Sequence, residues 1–254
     1  LTSIDTIAGG DGTDTISVTA ATLDAAFTKV TTVENLTIAG AAIGLTLGSI
    51  AQAAGVTTAT FGAAGTVETI TVGAGFTNAL TVVANDPTKA DVVAAAAYTG
   101  ALTVKTADAT GLGATGTFTG GTGTTDTITY DLTAGAVTQA GSATITAFEK
   151  INTSGATTNA LSVTLDDANI AATKTLTIDG SALTTGVLTV VATAEADGNV
   201  IVLGGGAADL ITGSASTLGD NLSGAAGNDT FTMAGNLTSI DTIAGGDGTD
   251  TISV

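Results

Sequence analysis

The sequence predicts an all-β protein, a right-handed parallel β-solenoid of the β-helix or β-roll type with one short helix near residues 20–31. Three observations carry that expectation. Of 254 residues, 137 are Thr, Ala or Gly, and aromatics make up only 3%. Such side chains cannot fill a thick interior at native packing density, but they suit a core two small side chains across. Short apolar pulses alternating with Thr or Ser recur along the chain, and Asp-containing segments return about every 20 residues. Coils of about 20 residues carrying two or three strands each satisfy all three, about twelve coils in one period of the chain.

Charge and residue inventory remove several functions. The net charge is −18, from 23 acidic residues against five lysines, and there is no His, Cys, Trp or Arg. The commonest general base and the usual transition-metal ligands are therefore missing. Nucleic-acid binding through phosphate contacts is excluded by the lack of a basic surface. The longest apolar run, Val92 to Tyr98, is far short of the ~20 residues of a spanning helix, so no membrane span is expected. Asp166-Asp167 is the one adjacent acidic pair. It reads as a turn rather than a pair of catalytic acids, and no catalytic or cofactor-binding residue is expected.

The ends of the chain duplicate each other. Leu1 to Val18 reads LTSIDTIAGGDGTDTISV, and Leu237 to Val254 repeats it at every position, so one full period separates Leu1 from Leu237. Two origins fit: a window on near-identical tandem copies, or a technical self-overlap. Leu1 opens in mid-pattern, so the natural termini are expected elsewhere. Next, Leu23, Phe27 and Val30 stand at helical spacing, with Thr22 as N-cap. Strand pulses then follow at Leu36, Leu45, Ile70, Leu80, Leu102, Ile128, Leu161, Leu176, Leu188 and Val200, and Pro87 falls in a loop. Three of the four Glu sit in an apolar-Glu-x-apolar motif, at Glu34, Glu68 and Glu149, read as the start of a strand at equivalent coil positions. Three sections result: residues 1–18, a solenoid body over 19–203, and residues 204–254.

The last section is the most regular. Asp209, Asp220, Asp229, Asp241 and Asp250 are each followed two residues later by Ile211, Leu222, Phe231, Ile243 and Ile252. Gly245, Gly246, Gly248, Asp250 and Ile252 fit the nonapeptide G-G-x-G-x-D-x-U-x throughout, and Gly9 to Ser17 repeats that fit. Glycine permits the tight turn, its carbonyls and the Asp carboxylate offer hard oxygen, and the apolar residue points inward. The plainer reading is that Gly and Asp only make turns and Asx caps.

Gly204 to Ser253 resembles a degenerate repeats-in-toxin (RTX) array, the calcium-binding β-roll. The match departs at Ala207 and Ala225, and the pieces beginning at Gly213 and Met233 carry insertions. The resemblance implies Ca2+ as cofactor. Its metal ligands would come from Gly9, Asp11, Asp14, Gly204, Gly206, Asp209, Asp220, Gly227, Asp229, Asp241, Gly245, Asp247 and Asp250. Asp126 joins them from the echo GGTGTTDTIT, and adjacent coils would each complete half a site. The Thr/Ala/Gly bias and the phrases TVENLTI and AFEKINTSG also resemble bacterial surface-layer and large repetitive secreted proteins.

The expected function is structural: an extracellular, calcium-stabilised fibre, sheath or surface layer built by end-to-end stacking. Expected partners are further copies of the chain and cell-surface polysaccharide. The alternatives are an adhesin stalk of tandem β-sandwich repeats, or the secretion domain of an RTX toxin or protease. A β-sandwich needs antiparallel hairpins with tight Asn-Gly or Asp-Gly turns. The chain has four Asp-Gly pairs and no Asn-Gly.

Overall fold

The structure is a computed structural model describing residues 1–62, 66–84, 86, 89–113, 115–233 and 235–254. Pro87 and its expected loop position lie outside the described residues. The chain divides into two compact units, Leu1–Lys105 with Thr115–Asp126, and Thr106–Ala114 with Thr127–Val254. Both are built as parallel β-solenoid, with about ten turns in all.

In the first unit one ladder contains the strands Thr15–Val18, Asn35–Ile38, Thr58–Thr60, Leu80–Val83 and Leu102–Thr106. Its register steps from Thr15 to Asn35, Thr58, Thr81 and Thr103, one step per coil, and the first step is the shortest. A second ladder runs through Gly44–Leu47, Thr69–Val72, Val92–Ala94 and Thr117–Thr119. Alternation explains these strands. Leu36, Ile38, Leu45, Leu47, Ile70 and Val82 point inward and are buried, while the intervening Thr residues are half-exposed. Each such aliphatic contributes about 1.5–3 kcal/mol by leaving water.

The second unit repeats the scheme with more variable coils. One ladder holds Thr127–Asp131, Lys150–Ser154, Thr175–Asp179, Asn199–Leu203, Asn221–Ala226 and Thr242–Asp247. Its register steps from Thr127 to Lys150, Thr177, Ile201, Asn221 and Thr242. The coil between Lys150 and Thr177 is the longest, and that between Ile201 and Asn221 the shortest. The other ladder holds Val137–Gln139, Leu161–Thr164, Leu188–Val191, Leu210–Thr212, Thr230–Thr232 and Thr251–Ser253. Coils longer than the Asp spacing suggests account for about ten turns where twelve were expected.

Every strand pair described is parallel. That excludes the β-sandwich alternative for the described residues, because its hairpins are antiparallel.

The helix expected over 20–31 shrinks to a 3-10 turn, Asp24–Phe27. The neighbouring coil claims the backbone before it. Thr22 donates its amide to the Gly44 carbonyl and accepts from Thr46, so it is a bridge residue and not an N-cap. Leu23, at helical spacing from the buried Phe27 and Val30, is 69% exposed. A short α-helix forms instead at Ser49–Ala53. Asp24 caps it, accepting from the amides of Gly48 and Ala51 at 2.8 Å each and Ile50 at 3.2 Å. No helix among the described residues is long and apolar enough to cross a membrane.

Candidate metal centre

The acid residue just before a strand has one recurring job. Its carboxylate accepts the amide at the matching position of the preceding coil. Asp209 accepts from Leu188 at 2.8 Å, Asp229 from Asp209 at 2.8 Å, and Asp250 from Asp229 at 2.9 Å, forming one column. Asp241 accepts from Asp220 at 2.8 Å in a second column. Asp126 accepts from Leu102, Asp91 from Glu68, and Glu34 from Asp14. The nonapeptide Asp and Glu34 of the Glu motif thus belong to one device, in which Glu68 takes part through its amide while its carboxylate accepts from Gly62. The device satisfies buried backbone donors with a charge-assisted bond.

The second carboxylate oxygen divides these residues. In Asp126, Asp209, Asp220 and Asp241 it accepts from an amide of the same turn, those of Gly121, Gly205, Ser214 and Thr238. Asp126, Asp209 and Asp241 thereby staple turn to coil, whereas Asp220 accepts on its two oxygens from the amide and the hydroxyl of Ser214 in its own turn. Asp229 differs: it is 1% exposed, and its Oδ2 is buried with no partner. Asp14 Oδ2 is likewise buried and unpartnered. Both point into the glycine turn before them. A Cβ on Gly224 would meet Asp229 Oδ2 at 2.0 Å, and one on Gly245 would meet Asp250 Oδ2 at 2.1 Å, so these turns require glycine.

The remaining residues assigned to metal binding are backbone contributors or surface groups. Gly9, Gly204, Gly206 and Gly227 donate their amides to the carbonyls of Thr31, Ser223, Leu183 and Asp247. Gly245 lies within the strand Thr242–Asp247. Asp11 and Asp247, equivalent residues of the duplicated segment, are exposed. The structure therefore aligns Asp209, Asp229 and Asp250, pairs Asp220 with Asp241, and places Asp126 in the first unit with none of them.

A further acidic group has no counterpart in the nonapeptide pattern. Asp167, Glu195 and Asp197 each place a carboxylate oxygen within 4.8 Å of the other two, an arrangement that could hold a metal ion. Asp166 caps the 3-10 turn Asp167–Asn169 through a capping box, which turns Asp167 outward while Asn169 donates to Ser142 and Ile145 of the preceding coil. Glu195 sits at a corner of the next coil. The only local signal in sequence was the acid-x-acid-Gly run Glu195 to Gly198; the link to Asp167 depends on coil length.

Burial pushes the carboxyls of Glu195 and Asp209 above the usual range. At Glu195 the amides of Gly198 and Asp197 oppose that shift, and repulsion from Asp167 and Asp197 reinforces it. For Asp241 burial also pushes upward, but bonds from Asp220 and Thr238 outweigh it and hold the carboxyl low.

In comparisons with protein-family models, curated proteins and solved structures, nothing matches this chain.

Proposed function

We propose that the chain is a structural repeat protein, stacked end to end into an extracellular fibre, sheath or surface layer and stabilised by calcium, with no catalytic role. One observation carries the stacking: the two copies of the duplicated segment use opposite edges. In the first copy, the carbonyls of Asp14 and Val18 accept from Asn35 and Ala39 of the following coil. In the second, the Thr251 amide and the Ser253 carbonyl bond to Asp229 and Met233 of the preceding coil. Asp250 and Val254 are the counterparts of Asp14 and Val18. One segment can therefore join two periods, its Thr15–Val18 stretch leading into a long ladder and its Ile7–Ala8 stretch into the short pair with Val30–Thr31.

A tandem chain, with Thr19 of a second copy directly after Val254, tests this by hydrogen exchange. The amides of the second-copy residues equivalent to Asn35 and Ala39 should be as protected as in the first period. Fast exchange there would sink the stacking proposal.

Calcium is supported by the orphaned oxygens of Asp229 and Asp14, which are buried without a donor, where an unpaired charge is costly. Residues 175–254 contain nine acids and no lysine. Asp229 and Asp250, with carbonyls of the glycine turns, would hold the ion, which supplies positive charge and hard coordination. Asp14 does the same in the first copy. The RTX reading also supports calcium, and the extracellular setting follows from that resemblance.

A further inference from the structure

The corner at Glu195 answers a question that the nonapeptide columns leave open: why three acids converge where no glycine motif exists. Glu195 is fully buried, yet only one of its oxygens is used. Its Oε1 accepts from Asp197 at 3.0 Å and Gly198 at 2.6 Å, whereas Oε2 is buried and accepts nothing. A buried ionised oxygen without a donor is costly unless a cation or proton meets it. Asp167 and Asp197 bring two more carboxylates to the same place, both from the solvent side. Among the described residues no lysine forms an ion pair with any of the three.

The cluster is also held in advance. Asp167 Oδ1 accepts the Ala196 amide at 2.9 Å, and the Asp197 carbonyl accepts the Thr173 amide at 2.9 Å. Two successive coils are thereby fixed at one corner before any ion arrives. An all-oxygen, triply anionic set without nitrogen or sulfur suits a hard cation. Oxygens within 4.8 Å of one another can meet on a single ion, and two exposed carboxylates with room for water suit the irregular, many-oxygen shell of calcium better than the strict octahedron of magnesium.

We propose that Asp167, Glu195 and Asp197 form a calcium clamp joining two coils, outside the RTX-like array and independent of it. Glu195 supplies the buried ligand through Oε2. Asp167 and Asp197 close the site from the solvent side, and water completes the coordination shell. This goes beyond the calcium assigned above to the nonapeptide turns, because it uses none of their residues.

Calorimetric titration of the full chain with calcium chloride tests it, using two double variants. Asp167→Asn with Asp197→Asn should lose one calcium per chain and melt without calcium no lower than the parent, since like charges have been relieved. Asp229→Asn with Asp250→Asn should keep that ion. Glu195→Gln, which retains Oε1 for the two amides, should lose the same ion as the first pair. If the Asp167/Asp197 variant binds as many ions as the parent with unchanged affinity, the clamp is overturned. Loss of all binding in the Asp229/Asp250 variant overturns it too. A loss confined to the Asp167/Asp197 variant leaves the clamp standing and removes calcium from the nonapeptide turns instead.

Discussion

Replacing Lys89 with Met should destabilise the protein by about 3–5 kcal/mol, the largest effect expected of a single substitution. Lys89 is one of five cations in the chain, and its side chain is almost fully buried. Its Nζ lies 3.8 Å from Glu68 Oε2, 3.7 Å from Asp91 Oδ2 and 4.0 Å from Asp86 Oδ2, and it donates to the Gly62 carbonyl. Glu68 and Asp91 are as deeply buried, and Glu68 Oε1 has no donor. Burial already pushes both carboxyls up, and Lys89 is among the groups that pull them back. Methionine matches the stem but leaves two buried carboxylates facing each other. Urea unfolding at neutral pH checks the loss. Adding Glu68→Gln and Asp91→Asn should recover most of it, because removing a whole buried ionic group costs far less than orphaning part of one. Equal stability of parent and Lys89→Met would mean the cluster is solvated.

The second large effect concerns pH in the absence of calcium. Glu68, Asp91, Glu195 and Asp209 have carboxyls raised above their unfolded values, chiefly by burial. The folded state then binds protons more tightly than the unfolded one. The stability these four contribute is fully present below the unfolded carboxylate range, about pH 4, and is lost as pH rises through the raised folded values. Asp179 and Asp241 are held low by their hydrogen bonds, despite burial, so their contribution is lost instead as pH falls through their folded values. Chelated protein should therefore melt several degrees higher at pH 5 than at pH 7, turning over only below about pH 4. Relief of the −18 net charge acts in the same direction. With calcium present the slope should flatten, because the ion takes the place of the proton. Melting that falls steadily from pH 7 to pH 5 in chelator would contradict the burial argument.

Much of the fold was legible because the strands carry their own signal. All ten apolar pulses, from Leu36 to Val200, lie in strands. Thr58–Thr60 and Thr117–Thr119 escaped notice. Each has one buried residue, Ala59 or Phe118, and is held as a strand by its neighbours in register. The Glu motif was read correctly as the start of a strand, since Glu34, Glu68 and Glu149 each precede one. Its positions are not equivalent, however: Glu68 leads into the second ladder of the first unit. The helix near Phe27 failed because hydrogen bonds from another coil outweigh a local periodicity.

The acidic columns were legible from the spacing of the Asp residues, but the division of labour within them was not. Asp209 and Asp229 look alike in sequence; an amide, Gly205 N–H, fills the second oxygen of one and none fills that of the other. The Asp167 cluster was hidden for a different reason. Coil length varies along the chain, from the short step between Thr15 and Asn35 to the long one between Lys150 and Thr177. No fixed period could therefore bring Glu195 to Asp167.

The most direct test of a calcium-stabilised stacking solenoid is thermal unfolding of the full chain at pH 7, with excess calcium and with chelator. Filament formation is followed in the same samples by electron microscopy. Calcium should raise the melting temperature by several degrees, about 3–4 kcal/mol at concentrations a hundredfold to a thousandfold above the dissociation constant, and should favour filaments. Identical melting and identical filament yield under both conditions would contradict it.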